Sequence, residues 1–251
     1  MDRFNTAYSL NVYVAKLRSA LGAEHVVLMI IVVVGALFGL IALMDGAVEG
    51  STRAFDTAIL KVFRISTNPA EPIGPPWLPD MVRDLTSLGS TAVLTLIVVG
   101  AIGYLLIDRK PGAALFVLFA IGGGTIVSSL LKIGVQRTRP DLVPALVHEN
   151  SPSFPSGHAM LSTVTYLTIG VILARVQPSR RMKIYILTAA AVVALIVGVS
   201  RVYLGVHWPT DVLAGWCAGT AWALFCWLIA LWLQRRGQIE AESTQRNPIE
   251  N

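Results

Sequence analysis

Six apolar runs constrain this chain more than any other feature of its sequence. They cover residues 26–44, 85–107, 113–131, 159–174, 184–199 and 212–233. A bilayer core takes roughly 17 to 25 apolar residues per helical crossing, so the fourth and fifth runs, at 16 residues each, need their polar flanks to complete a helix. Backbone groups inside lipid must be satisfied within their own segment, which makes helices the natural reading. Composition agrees: 54% of the residues are hydrophobic and only 14% are charged, which excludes an ordinary water-soluble globule. The predicted fold is all-α, a polytopic bundle of six transmembrane helices forming one domain over residues 26–233.

An even number of spans puts both termini on one side. With the termini inside, 12 of the 20 Lys and Arg residues fall on inner segments and 8 on outer ones. Positive residues in short loops stay cytoplasmic, so the count predicts an integral protein of the plasma (inner) membrane with cytoplasmic termini. The net charge of +5 follows from these loop cations and needs no nucleic-acid partner. The run 26–44 is too long for a secretory signal and lacks a small-residue cleavage site, so it reads as retained. Cys217 and Cys226 lie about 13 Å apart along one helix and cannot pair, which leaves them as small core residues.

Outside the spans, Leu10, Val14, Leu17 and Leu21 recur at helical spacing, so residues 1–25 read as an amphipathic segment on the inner surface. Residues 45–84 form an outer interfacial loop. There Phe55, Ile59, Val62 and Phe63 suggest a short helix, and the prolines from Pro69 to Pro79 suggest an irregular stretch after it. Residues 234–251 are polar without periodicity and read as a flexible cytoplasmic tail.

The ionisable residues at span edges converge. The third span ends in Lys132, followed by Arg137 and Arg139; the fourth begins after Ser156, Gly157 and His158; the fifth ends in Arg201; His207 and Asp211 open the sixth. Alternating topology puts all of them on one membrane face, the outer one by the charge count. Three cations at one point call for an anion, and a phosphoryl group suits one lysine and two arginine forks. Ser156 and Gly157 stand where a helix begins, so a hydroxyl and free N–H groups can also face that anion. His207 and Asp211 are four apart, on one helical face, so the carboxylate can hold one ring nitrogen while the other attacks phosphorus. His158 can protonate the leaving oxygen and then activate water. The scheme uses no metal and no cofactor.

Lys132 with six residues to Arg139-Pro140, then Pro155-Ser156-Gly157-His158, then Ser200-Arg201 with five residues to His207 and three more to Asp211, resembles the tripartite motif of the type 2 phosphatidic acid phosphatase (PAP2) superfamily. All 11 fixed positions match. The stretch from Asp84 to Ser90 is a weaker likeness to the same family. The resemblance implies a metal-independent membrane phosphatase acting on a lipid phosphate or lipid diphosphate. It assigns Lys132, Arg139, Ser156, Gly157 and Arg201 to phosphate binding, His207 as nucleophile, Asp211 as its orienting partner and His158 as acid and base.

Taken singly, a basic residue ending a span is an interfacial anchor, and His207 followed by Trp208 is an interface pair. The joint spacing outweighs both readings. His25 and His148 match no motif and read as solvated or interfacial, Arg137 reads as a loop residue near the substrate, and Gly122 to Gly124 as a helix-packing site. A lipid phosphotransferase would use the same residues with a second lipid as acceptor. A transporter fits less well, because the polar set stays on one face and no internal repeat is visible.

Overall fold

The computed structural model describes residues 3–147 and 151–235, with side chains for 24–147 and 151–233. Among the described residues, five helices are long and apolar enough to cross a membrane, and a bent helix pair makes the sixth. Helix α1 (Arg3–Glu49) has a helical backbone without a break from Arg3 through the first apolar run. Helices α5 (Pro111–Val135), α6 (Gly157–Arg175), α7 (Arg180–Tyr203) and α8 (Pro209–Arg235) follow the third to sixth runs. The two 16-residue runs are extended by their flanks, capped at Ser156, whose Oγ accepts from Ala159 N at 3.4 Å, and started at Ser179. Gln234 and Arg235, predicted to begin the tail, continue α8, and the rest of the predicted tail and His148 fall outside the described residues. His25 is exposed.

Helix α6 is the axis of the bundle, packed on α5, α7 and α8, while the spanning part of α1 lies at the edge against α8. Small residues let α6 and α8 touch backbone to backbone. A Cβ at Gly215 would stand 2.8 Å from Ser156 O, and one at Gly219 would stand 2.8 Å from Met160 O. Larger residues would push α8 away, and with it the histidine that precedes it. The expected packing role of the glycine triplet holds at Gly123 and Gly124, which lie against the Trp222 ring; Gly122 has nothing within 4 Å. Trp222 Nε1 donates to Ala120 O at 2.7 Å and Trp216 Nε1 to Ala194 O at 3.1 Å, so both rings pack between helices with their polar ends satisfied. Cys217 and Cys226 are unpaired.

The second run is not one helix. Its first residues belong to α3 (Leu78–Ser87), and α4 (Thr91–Ile107) leaves at 42° after a break at Leu88, Gly89 and Ser90. Ser90 makes the break by adopting an extended conformation and capping α4, its Oγ accepting from Val93 N at 3.3 Å.

Between α1 and α3 lie α2 (Arg53–Val62) and a hairpin of β1 (Arg64–Ile65) with β2 (Asn68–Pro72). The stripe Phe55, Ile59, Val62, Phe63 misjudges which face of α2 is buried. Asp56 and Leu60 are fully buried, with Ile59 and Phe63 packed beside the core, whereas Phe55 and Val62 are exposed. The hairpin, in a stretch read as irregular, is fastened to α7: Arg64 Nη1 donates to Tyr203 O at 2.9 Å and Tyr203 Oη donates to Ile73 O at 2.9 Å.

Candidate active site

Four helix ends meet at one end of the bundle. Lys132 sits in the last turn of α5, which Gln136 closes in the left-handed region, φ 47°. Gly157 and His158 open α6, Arg201 ends α7, and Pro209 to Asp211 open α8. Ser156 N donates to Asp211 O at 2.9 Å, which ties the start of α6 to the start of α8. Between α7 and α8 the chain turns at Gly205, φ +74°, and carries His207 into the centre.

A cavity of about 210 Å³ opens there, lined by Lys132, Arg139, Gly157, His158 and His207 together with Gly89, Ser128 and Ser151 among others. Five of the eight expected site residues therefore face the cavity. Ser156, Arg201 and Asp211 do not line it. Ser156 is fully buried with its Oγ capping α6, so the N-terminus of that helix faces the cavity through Gly157. Arg201 is 1% exposed and donates Nη1 to Thr86 Oγ1 at 3.2 Å.

Ser151 holds the two front cations together. Lys132 Nζ donates to Ser151 Oγ at 3.0 Å and to Pro152 O at 2.8 Å, and Arg139 donates Nε to Ser151 O at 2.8 Å and Nη2 to Ser151 Oγ at 3.2 Å. Arg139 Nη1 reaches Val206 O at 2.7 Å and His207 Nε2 at 3.3 Å. A guanidinium only donates, so this contact requires the lone pair on Nε2 and puts the ring proton on Nδ1. Nδ1 faces Asp211 Oδ2 at 3.5 Å, an ion-pair separation at which the buried Nδ1 makes no hydrogen bond in this structure. Burial pushes the His207 ring down to about 4; Asp211 pulls it up, and Arg139 and Arg201 push it down further. At neutral pH the ring is uncharged, and it lines the cavity beside Arg139.

Arg137 does not line the cavity where a substrate would sit. Its side chain, 11% exposed, turns the other way and lies between two fully buried carboxylates, donating Nη1 to Asp211 Oδ1 at 2.6 Å and Nη2 to Asp56 Oδ2 at 2.7 Å. Trp208 is likewise buried, with the Arg137 guanidinium 5.5 Å from its ring centre, and is no interface anchor. Nothing in the sequence marks Asp56, because a lone aspartate on a short amphipathic helix reads as a solvated residue. The stretch around Ser90 gave a clearer signal. Gly89 sits against His158, where a Cβ would lie 3.3 Å from Cδ2 of that ring and 2.4 Å from Val197 Cγ1.

A model of the PAP2 superfamily matches residues 113–235. Phosphatidylglycerophosphatase B of Bacillus subtilis (strain 168) is 40% identical over 148 residues, 57% of this chain and 71% of that protein. A crystal structure of a transmembrane PAP2-type phosphatidylglycerolphosphate phosphatase from Bacillus subtilis superposes with a TM-score of 0.73 at 31% identity, covering 81% of this chain and 98% of that one. The chain belongs to the PAP2 superfamily. It is an integral membrane phosphatase. An undecaprenyl-diphosphatase of Sulfolobus acidocaldarius is 34% identical over 122 residues, 47% of this chain and 53% of that protein. The PAP2 match begins at α5 and includes all four helix ends of the site, so Asp56, Thr86 and Gly89 reach the PAP2 core from outside the matched region.

Proposed function

We propose that this PAP2 phosphatase hydrolyses the phosphate or diphosphate ester of a membrane lipid through a phosphohistidine on His207. Three lipid classes fit the proposal: a phosphatidylglycerol phosphate, an isoprenyl diphosphate and a phosphatidic acid. The single observation that carries it is a buried, neutral histidine whose Nε2 lone pair is approached by Arg139 Nη1 at 3.3 Å, in a cavity with Lys132 and His158. Nε2 attacks the terminal phosphorus as its P–O bond to the leaving group breaks, and His158 gives its proton to the departing oxygen, which belongs to the lipid alcohol of a monophosphate or to the lipid monophosphate released from a diphosphate. Asp211 keeps the Nδ1 proton in place throughout. Water then attacks phosphorus, His158 takes its proton, the P–N bond breaks and inorganic phosphate leaves. Lys132 and Arg139, with Arg201 behind them, supply the positive charge that the transferring oxygens require, so no metal enters the scheme.

The cavity lies where the ends of four apolar helices meet, and helix ends fall near head-group depth when such helices span a bilayer, which supports a substrate that stays in the membrane. Assigning Lys132, Arg139 and Arg201 to the phosphate leaves 12 basic residues on inner segments against 5 on outer ones. That asymmetry supports an outward-facing site on the plasma (inner) membrane, with both termini in the cytoplasm.

The experiment is purified protein in detergent micelles, supplied with each of the three lipids in the presence of chelator. Inorganic phosphate is expected from at least one lipid, and His207→Gln is expected to lower the rate by roughly 10⁴-fold. Activity only on added metal, or an unaltered rate in the variant, contradicts the mechanism. Transfer of the phosphoryl group to a second lipid without phosphate release would make the protein a phosphotransferase. Because the ring is held at about 4, His207 stays unprotonated as pH falls from 7 to 5 and becomes protonated only near pH 4. After correction for substrate ionisation, kcat/KM should show no His207 step near pH 6.5.

A further inference from the structure

Two buried charges that the proposed reaction does not use stand directly behind Asp211. Arg137 holds Asp211 Oδ1 with one arm and Asp56 Oδ2 with the other. Asp56 also accepts from Thr210 N at 2.9 Å and from Thr210 Oγ1 at 2.8 Å, so a side chain of α2 caps the first turn of α8. Thr210 Oγ1 in turn accepts from Arg137 Nη1 at 2.8 Å, which closes the network. Asp211 spends Oδ1 on Arg137 and keeps Oδ2 for Trp208 N, at 2.9 Å, with His207 Nδ1 3.5 Å from the same oxygen. The carboxylate cannot rotate without breaking a charged bond on one oxygen and a backbone bond on the other.

The charge count gives the arrangement a second property. A guanidinium alone beside Asp211 would neutralise it and weaken its hold on the ring. With Asp56 on the far side, the three groups carry one net negative charge behind the nucleophile. That charge favours the cationic ring formed when Nε2 takes the phosphoryl group while Nδ1 keeps its proton. Buried ion clusters of this kind contribute little to stability compared with apolar packing of similar volume, so fastening α2 to α8 does not by itself account for two carboxylates and an arginine at this point.

We infer that Asp56 and Arg137 are positioning residues for phosphoryl transfer, acting through Asp211 on His207 from the side away from the substrate. The inference rests on His207 being the nucleophile. The other groups that face the ring, Arg139 from the connection after α5, Arg201 from α7 and His158 from α6, remain in place in every variant below.

The test uses the full chain in detergent micelles and the variants Asp56→Asn, Arg137→Gln and their combination, with phosphatidylglycerol phosphate as substrate. A second readout is the titration of His207 by NMR of ¹³C-labelled histidine, assigned with His207→Gln. Arg137→Gln should lower kcat about 100-fold and Asp56→Asn about 10-fold, with KM within about threefold, as for loss of a group that orients a reacting one. The titration should move in opposite directions: upward in Arg137→Gln, which removes a positive charge near the ring, and downward in Asp56→Asn, which removes a negative one. The double variant should return towards the wild-type value. A merely structural network would let water reach the ring in both single variants and raise both titrations towards the ordinary histidine value. That result, or kcat within twofold of wild type in both, overturns the inference. If Arg137→Gln does not fold, Arg137→Lys replaces it, keeping the charge and losing the fork. Its kcat should fall about tenfold, and full activity overturns the inference. Loss of the His207 reading is distinguishable, because His207→Gln would then remain active while these variants say nothing about the nucleophile.

Discussion

Arg137 and Arg139 stand two residues apart, and their guanidinium groups serve opposite walls of the site. Arg139 faces forward: it lines the cavity, touches His207 Nε2 and shares Ser151 with Lys132. Arg137 faces back, its charge taken up by Asp56 and Asp211 and its plane near Trp208. The front wall presents cations to whatever enters. The back wall is a closed set of hydrogen bonds among α2, α8 and the connection after α5. Neighbouring arginines in one loop therefore differ in role because of what the fold brings to each side, and a charge by itself indicates neither substrate nor scaffold.

The largest effect that separates the walls is expected from Arg139→Gln. The substitution removes a charge-assisted donor aimed at the transferring phosphoryl group, a loss of roughly 10² to 10³ in kcat/KM. Of its carbonyl partners, Ser151 lines the cavity and is exposed, so water can replace the guanidinium there, and only Val206 O is buried; thermal stability in micelles should therefore fall less than in Arg137→Gln. Arg137→Gln should cost more stability, because it leaves two fully buried carboxylates without their shared cation. Unfolding temperatures that fall equally in the two variants would erase the distinction.

A smaller effect is expected from Gly89→Ala, which probes the front wall through packing and not through charge. The new methyl group would lie 2.4 Å from Val197 Cγ1 and 3.3 Å from His158 Cδ2, so the Val197 side chain must move and the His158 ring must give by a few tenths of an ångström. His158 has the acid and base role in the proposed reaction, and displacing a proton donor by a fraction of an ångström costs about tenfold in kcat. The first chemical step protonates the leaving oxygen, so a substrate with a better leaving group should recover most of the loss. Equal loss on both substrates would mean that the methyl group disturbs phosphate binding instead.

How far the two walls could be read from sequence follows from the range of the interactions that build them. Lys132, Arg139, Gly157, His158 and His207 lie at fixed spacings around four helix ends, and alternating topology alone brings those ends together. The back wall depends on Asp56, 81 positions from Arg137 and 154 from Thr210. Nothing local distinguishes it from a solvated aspartate, and the apolar stripe beside it indicated a different buried face. The break at Leu88 to Ser90 was hidden for another reason: hydropathy runs through it, and the stop is a backbone conformation fixed by the Ser90 cap. The hairpin escaped because prolines in Asn68–Pro72 argue against a strand, and its position is fixed by tertiary bonds to Tyr203. Ser156 does start α6, yet the Oγ that suits it for an anion is used by the helix it begins.

The smallest effect tests where the front wall ends. Thr86 Oγ1 accepts from Arg201 Nη1 at 3.2 Å, and both side chains are buried. Thr86→Val keeps the shape and removes this one acceptor. Losing a hydrogen bond to a charged group costs about 1.5 to 3 kcal/mol, but only the part of that cost that differs between bound substrate and transition state appears in kcat. If Arg201 is held equally firmly before and during transfer, the loss falls on stability, and kcat should drop no more than about threefold. If instead Arg201 must advance towards the phosphoryl oxygens as charge develops, Thr86 sets its starting position, and kcat should fall by 100-fold or more. Thermal unfolding and initial rates measured on the same preparation distinguish the two. A large loss of stability with a small loss of rate puts Arg201 and Thr86 with the fixed back wall; the opposite pattern moves the boundary behind Arg201 and makes α3 part of the moving site.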